Sequence, residues 1–483
     1  MFLRQITDSV LAQNAYVIGC QRTGEAVVVD PERDVDRYLK IAEENGLRLS
    51  AVADTHIHAD YLSGARELVV RHGAHGYFSA EGGEDWQFEW ALGRSGVTLL
   101  KDGDGFWVGN IEIRALLTPG HTPEHLSFLV IDHGGGADEP MGLLSGDFLF
   151  VGDVGRPDLL ESAAGHVGAR EPAARKLYES LRETVDLPGF VQVLPAHGAG
   201  SACGKALGSV PSSVLDYERR YNGALRQALE GEEQKFVDEI LEGQPEPPLY
   251  FARMKRDNRR GPVLLEGGEL PVPRRIEGRQ VEEWVGVSGR AVLDLRSDRV
   301  AFMESHVAGS LFAPMSGGKH SVAAGSYLDE NDEILLLVES EEQVAAVTRD
   351  LVRIGLDRVV AWMPVEDALA QDSTRSSIPR ISARDLAREI VEEGTQVVDV
   401  RGSSEFSKDH VAGAYSMPYT RLAEQIVPLP ESRHLLVHCA SGLRAAMASA
   451  FLARQGWSVT HVDGDFDEIP ETLRTEASTV EVS

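Results

Sequence analysis

Two imidazoles and a carboxylate stand close together in Thr55-His56-Ile57-His58-Ala59-Asp60-Tyr61. Imidazole nitrogen and carboxylate oxygen together suit zinc, iron or manganese. The apolar run Leu49 to Asp54 reads as a strand leading in, and Leu62 to His72 reads as a helix leading out. A strand-to-helix turn lets side chains converge on one point. Three further stretches fit the same site: Thr118-Pro119-Gly120-His121-Thr122-Pro123-Glu124-His125, Ser145-Gly146-Asp147 and Pro195-Ala196-His197-Gly198. The other chemistry-bearing stretch is Val437-His438-Cys439-Ala440-Ser441-Gly442-Leu443-Arg444, a strand ending in a thiol. Backbone N–H groups of Ala440, Ser441, Gly442 and Leu443, a following helix N-terminus and Arg444 all favour a thiolate or a persulfide anion at Cys439.

The elements that must carry these residues follow from the hydrophobic pattern. Strand-like runs at Ile111 to Leu117, Met141 to Leu144 and Val191 to Leu194 each precede one of the downstream stretches. Tyr16 to Cys20 and Glu25 to Pro31 read as paired strands around the turn Gln21 to Gly24, which places Cys20 in the core. Helical spacing spans Asp34 to Asn45, with Gly46 as its stop. Further helices are expected at Ala169 to Val185, Pro211 to Glu230 and Lys235 to Leu241, and a loop at Gly134 to Gly136. Prolines from Gln244 to Pro273 predict an extended, stiff connection, with a domain boundary near residue 260.

The four turns in this order resemble the metallo-β-lactamase fold, an αββα sandwich with a metal site at the edge of its sheets. The resemblance covers roughly residues 1 to 250. The family places a histidine where this chain has Tyr61. In the family's two-metal hydrolases that position, Asp60 and His197 hold the second metal. A phenol, with an unperturbed pKa of about 10, is a poor ligand unless it ionises. A single-metal site is therefore expected. The domain is similar to the persulfide dioxygenase branch, and that resemblance assigns one Fe(II) to His56, His121 and Asp147. Such a set leaves open positions for O2 and a thiol substrate. His58, Asp60, Tyr61 and His197 would then orient ligands or bound water. By the same resemblance Arg156 binds the anionic end of the substrate; a surface arginine is the alternative. Cys203, in a glycine-rich run after His197, either faces the metal pocket and relays sulfur or packs beneath its loop.

Beyond residue 275 the chain repeats itself. Val292-Leu293-Asp294-Leu295-Arg296 is echoed by Val397-Val398-Asp399-Val400-Arg401, and His306-Val307-Ala308-Gly309 by His410-Val411-Ala412-Gly413. A period of roughly a hundred residues is that of a duplicated small domain, not a solenoid. Each copy adds an apolar strand, Ile334 to Val338 or Leu435 to His438, and a helix stopping at Gly355 or Gly456. The join, Gln371 to Ser377, is polar and expected to be exposed. With Asp399-Val400-Arg401, Glu405-Phe406 and the His410 stretch, the Cys439 loop resembles the rhodanese sulfurtransferases. The related phosphatase loop is one residue longer; the shorter loop suits a sulfur atom. The first copy has Val338-Glu339-Ser340-Glu341 where the thiol would stand, and no cysteine lies between Cys203 and Cys439. It is expected to be an inactive spacer or docking surface.

The formal charge of -29 over 483 residues disfavours nucleic acid and anionic membrane as partners. Only 3 cysteines argue against a disulfide framework and for a reducing cytoplasm. No apolar run reaches the roughly 18 residues of a membrane span, and the first twenty residues lack a signal-peptide core. The expected α/β chain therefore comprises a metallo-β-lactamase sandwich (1–258), a linker (259–275), a cysteine-free rhodanese-like domain (276–370) and a rhodanese domain (378–473), then a frayed tail from Thr475. The two resemblances together imply oxidation of a small thiol persulfide, such as that of glutathione or coenzyme A, with O2 to sulfite. Cys439 would carry sulfane sulfur to sulfite, forming thiosulfate, or supply persulfide to the iron. They also imply a homo-oligomer. A glyoxalase-II-like thioester hydrolase with a metal-activated hydroxide is the competing enzyme class. A sulfur carrier or partner-binding scaffold is the non-enzymatic one.

Overall fold

A computed structural model describes residues 1–162, 165, 167–205, 207–391, 394–425 and 434–475. The chain divides into two compact units, residues 1–244 with 251–269, and residues 245–250 with 270–483.

The first unit holds two six-stranded sheets. One runs β1 (Phe2–Asp8), β2 (Gln13–Cys20), β3 (Glu25–Val29), β4 (Arg48–Ala53), β5 (His75–Ser79) and β6 (Val97–Leu100) in spatial order. The other comprises β7 (Gly105–Val108), β8 (Ile111–Leu117), β9 (Leu126–Asp132), β10 (Gly142–Gly146), β11 (Gln192–Pro195) and β12 (Ser213–Val214). Alternation sorts the side chains. Val27, Val29, Ala51 and Ala53 meet Ile113, Phe128, Val130 and Leu144 between the sheets. Val28 and Val52 face outward onto Tyr38, Ala42 and Leu68. Leu129, Leu143 and Val193 face outward onto Leu177, Leu181 and Phe236. Strands covered on both faces explain the continuous apolar runs, and the four layers are the expected αββα sandwich.

β10 pairs parallel with β11, and β8 to β10 alternate in direction, so β8, β10 and β11 end at the same edge. The turn after β4 is tied to that edge by Leu126 N–H donating to the Thr55 carbonyl at 2.8 Å. Three local expectations are corrected. The helix after β4 starts at Ala65, leaving 54–64 irregular; a Cβ at Gly64 would lie 2.4 Å from the Glu32 carbonyl oxygen, because Ser63 bridges to Glu32 there. The helix expected over Pro211 to Glu230 is a short strand and two helices, Leu215–Tyr221 and Gly223–Glu230, broken where extended Asn222 caps the second. The stretch expected as an extended linker contains the helix Tyr250–Arg260, and residues 251–269 belong to the first unit. Arg66 holds the Gly261 and Pro262 carbonyls, and Arg71 holds that of Leu265.

The second unit contains the repeat. The first copy orders its parallel strands Arg274–Arg275, Val359–Pro364, Glu333–Val338, Arg290–Asp294, Leu311–Phe312. The second orders them Arg380–Ser382, Val459–Asp463, His434–His438, Thr395–Asp399, Tyr415–Ser416, the same topology. The repeated motif is structural. Arg296 grips Asp294 and the Ser305 carbonyl, as Arg401 grips Asp399 and the Asp409 carbonyl. His306 Nδ1 meets the Phe302 carbonyl and His410 Nδ1 that of Phe406, each at 2.9 Å. Each copy also closes a short antiparallel ladder, His306–Val307 with Arg375–Ser376 and His410–Val411 with Arg474–Thr475. The join is mostly exposed, as expected, and also supplies a strand, Arg375–Ser376; the expected tail, beyond Thr475, lies outside the described residues. Among the described residues no helix is long and apolar enough to cross a membrane.

Removing one partner of a buried ion pair strands the other. Asp399→Ala is expected to destabilise the second unit by about 3–5 kcal/mol, read as a lower denaturant midpoint; an unchanged midpoint would contradict the structural role of the motif.

Candidate metal centre and sulfur loop

His56, His121 and Asp147 arrive from three loops, and one donor atom of each lies within 4.8 Å of the others. All three side chains are buried. The imidazoles are oriented through Nδ1. Asp30 accepts from the Thr55 backbone N–H at 2.7 Å and its hydroxyl at 3.1 Å, so the Thr55 oxygen is left to accept from His56 Nδ1 at 2.9 Å. His121 Nδ1 donates to the Arg156 carbonyl at 3.0 Å. Each Nε2 lone pair is therefore available to a cation. Burial, followed by the neighbouring imidazoles, pushes His56 well below the ordinary histidine range, and burial takes His121 down to about 4. Burial raises Asp147 to about 6, against the pull of His197. Neither Asp147 carboxylate oxygen has a hydrogen-bond partner. Neutral imidazoles and an unsatisfied buried carboxylate are a donor set that fits a divalent metal.

Backbone geometry sets Asp147. Its N–H donates to His125 Nε2 at 3.0 Å, and His125 Nδ1 reaches Thr118 Oγ1 at 2.9 Å. Gly146 has φ +52, and a Cβ there would lie 2.4 Å from His125 Nε2. The Gly155 Cβ would lie 1.7 Å from the Asp147 carbonyl oxygen. Side chains at either position would displace the Asp147 carboxylate.

The remaining expected residues separate into two groups. His58 turns to Asp30, Nε2 to Oδ1 3.1 Å; burial opposes its charge, but Asp30 prevails with Asp54 and Asp60 and carries it up to about 9. The Tyr61 hydroxyl donates to the Asp30 carbonyl and accepts from Gln13 Nε2, each at 3.2 Å. Burial first, then Asp30, pushes the phenol well above its ordinary range. Tyr61 thus points at backbone. Asp60, His197 and Cys203 form a second donor set within 4.8 Å. His197 Nε2 lies 3.3 Å from Asp60 Oδ2 and 3.4 Å from Asp147 Oδ1, with Nδ1 toward the Ala12 carbonyl. The Cys203 thiol lies beside Asp147, and burial with the nearby carboxylates raises it far above the usual thiol range. Cys203 therefore faces the pocket. Arg156 is buried, its guanidinium two-pronged on Asp158 at 2.8 and 2.6 Å and on the Ala202 carbonyl at 3.1 Å.

Sequence reasoning missed Asp30, His125 and Asn258. Asn258, on the helix Tyr250–Arg260, donates to the carbonyls of His58 (2.8 Å) and Tyr61 (2.7 Å) and accepts from Ser63 N–H (2.8 Å). It locks the turn from a distance of about two hundred residues in sequence. Of the three, only His125, four residues after His121, carried a signal in the sequence, as a histidine beside a candidate ligand; nothing in the sequence flagged Asn258.

Cys439 follows the strand His434–His438 and is buried. Gly442, at φ +90, donates its N–H to the sulfur at 3.2 Å and begins the helix Leu443–Arg454. Ala440 accepts from Phe466 N–H at 2.8 Å. Arg444 places both terminal nitrogens on Glu405, at 2.6 and 2.8 Å; burial works to raise that carboxyl, yet Arg444 holds it below the usual carboxylate range. In the first copy the equivalent turn is closed by Gln343, whose Oε1 accepts from Glu339 and Ser340 N–H groups at 2.8 and 3.3 Å.

Residues 8–197 match the metallo-beta-lactamase superfamily and residues 382–471 the rhodanese-like domain. A metallo-beta-lactamase crystal structure from Staphylococcus aureus subsp. aureus COL superposes with a TM-score of 0.65 and 36% identity, covering 75% of this chain and 99% of that one. The chain belongs to the metallo-β-lactamase superfamily and carries a C-terminal rhodanese-like domain. Its metallo-β-lactamase domain is similar to the mitochondrial persulfide dioxygenase ETHE1 of Bos taurus, 29% identical over 204 residues, 41% of this chain and 68% of the relative. It is also similar to a human hydroxyacylglutathione hydrolase-like protein, 32% identical over 183 residues, 38% of this chain and 54% of the relative.

Protons and cation compete for Asp147, so metal affinity is expected to be flat above about pH 6 and to fall below it, by about tenfold per pH unit for one proton. Titration with a competing chelator measures this; affinity flat down to pH 4.5 would contradict it. Asn258→Ala is expected to weaken metal binding by about 10–100-fold, measured the same way.

Proposed function

We propose that the first unit oxidises a low-molecular-weight thiol persulfide with O2, and that Cys439 transfers sulfane sulfur to the product. The overall first reaction is RSSH + O2 + H2O giving RSH, sulfite and two protons. Transfer of one sulfur atom from a Cys439 persulfide to sulfite then gives thiosulfate and the Cys439 thiolate. His56, His121 and Asp147 would hold one Fe(II), which supplies O2 activation and a binding position for the substrate sulfur. Thr55 and the Arg156 carbonyl keep the two imidazoles in the ligating tautomer. Asp60 Oδ2 lacks a hydrogen bond and its carboxyl is raised by burial to about 6, which suits it to receive the persulfide proton. Arg156, its charge shared with Asp158, would meet the anionic end of a carrier thiol. Glutathione and coenzyme A both have the required chemistry, and free thiols suit a reducing cytoplasm.

The observation that carries this reading is the direction of Tyr61. Its hydroxyl is engaged by Asp30 and Gln13, so the turn brings no imidazole to the second donor set. The similarity to a persulfide dioxygenase and the rhodanese-like loop support it independently. Asp60, His197 and Cys203 favour a second reading, a two-metal thioester hydrolase.

Oxygen uptake by anaerobically iron-loaded protein separates the two. Uptake on glutathione or coenzyme A persulfide with sulfite release is expected, and Cys439→Ser should retain uptake while losing thiosulfate. No uptake by iron-loaded protein overturns the dioxygenase reading; two bound zinc ions with thioester cleavage would establish the hydrolase.

A further inference from the structure

The cysteine-free copy has no sulfur site of its own, because Gln343 fills the turn where the other copy holds Cys439. It nevertheless grips both the helix behind Cys439, Leu443–Arg454, and the end of the strand Val459–Asp463 beside the loop. At the far end, Arg454 donates to the Gly309 carbonyl at 2.9 Å and the Arg290 carbonyl at 2.8 Å. In the middle, Tyr327 stacks on Phe451 with centroids 4.4 Å apart and planes 11° from parallel. At the near end, Arg299 sets Nε and Nη2 each 2.9 Å from Asp463 Oδ1.

That last pair lies directly against the sulfur loop. A Cβ built on Gly442 would stand 2.4 Å from Asp463 Oδ1 and 3.0 Å from Arg299 Nε. Gly442 is the residue whose N–H reaches the Cys439 sulfur. Its left-handed backbone is one that only glycine adopts without strain. Arg380 Nη1 holds the other oxygen of Asp463 at 3.0 Å, so Asp463 is pinned from both copies at once. The charged groups around the loop are Arg299, Arg380, Asp463, Glu405 and Arg444.

We propose that the cysteine-free copy acts as a clamp for the sulfur loop, with Arg299 as a positioning residue that holds Gly442 through Asp463 so that its N–H stays on the Cys439 sulfur. The first copy's task is thus mechanical and electrostatic, performed on its twin. The functional consequence rests on the reading that Cys439 carries sulfur; the clamp itself does not.

The test uses the full chain, with Arg299→Ala and Arg299→Lys. Amide hydrogen exchange at residues 440–443 is expected to rise about tenfold in Arg299→Ala, and the conservative lysine, which keeps one bond to Asp463, to restore much of the protection. Sulfur transfer from thiosulfate to cyanide should lose kcat in parallel with unchanged KM for thiosulfate. Exchange at 440–443 equal to wild type overturns the clamp. So does protection lost evenly across both copies, since Arg299 would then be a general packing contact. If exchange at 440–443 rises while the wild type transfers no sulfur, the clamp stands and the sulfurtransferase reading falls.

Discussion

Committing Nδ1 of each ligand imidazole to an oxygen is the constraint on which the rest of the first unit depends. Once the Thr55 hydroxyl accepts from His56 Nδ1–H, and the Arg156 carbonyl from His121 Nδ1–H, two Nε2 lone pairs face a buried carboxylate with no hydrogen bond. Such a cluster is costly to bury unless a cation joins it. The sandwich is arranged to hold that cluster. Three strands end at one edge, a hydrogen bond from Leu126 brings the fourth turn to it, Gly146 leaves room for His125, and Gly155 for the Asp147 carbonyl. Even the segment that leaves the domain contributes, through Asn258.

The tyrosine in the turn changes the division of labour among donors. With its hydroxyl spent on backbone and Gln13, Asp60 and His197 are joined by a thiol instead of an imidazole. The thiol is buried beside two carboxylates, which disfavours its anion in the absence of a cation. The same pocket therefore sets a nitrogen- and oxygen-rich donor cluster beside a thiol.

Duplication in the second unit separates framework from function. Both copies keep the Asp–Arg pair, the histidine bound to a carbonyl four residues back, and the closing ladder. They differ at the turn, where one offers a thiol to a backbone N–H and the other a glutamine side chain. The copy without a thiol instead sends Arg299 to Asp463, beside Gly442 of the other copy's loop.

The amino-acid sequence by itself determined the strand pattern, the four turns that carry the candidate metal donors, the repeat and the thiol loop. These are local properties, written in alternation, in glycine and proline stops and in closely spaced donors. The sequence also located Cys203 without deciding between pocket and packing. Only the tertiary structure decided that Cys203 faces Asp147, that Arg156 is braced by Asp158, and that Arg444 is engaged by Glu405. It alone revealed Asn258, His125 and Arg299 as supports. The prolines around 244–273 masked a helix, because its stability comes from packing on a turn some two hundred residues earlier rather than from its own composition. Contacts that join distant parts of the chain leave no periodic trace in it, so the chemistry was legible before folding and the bracing was not.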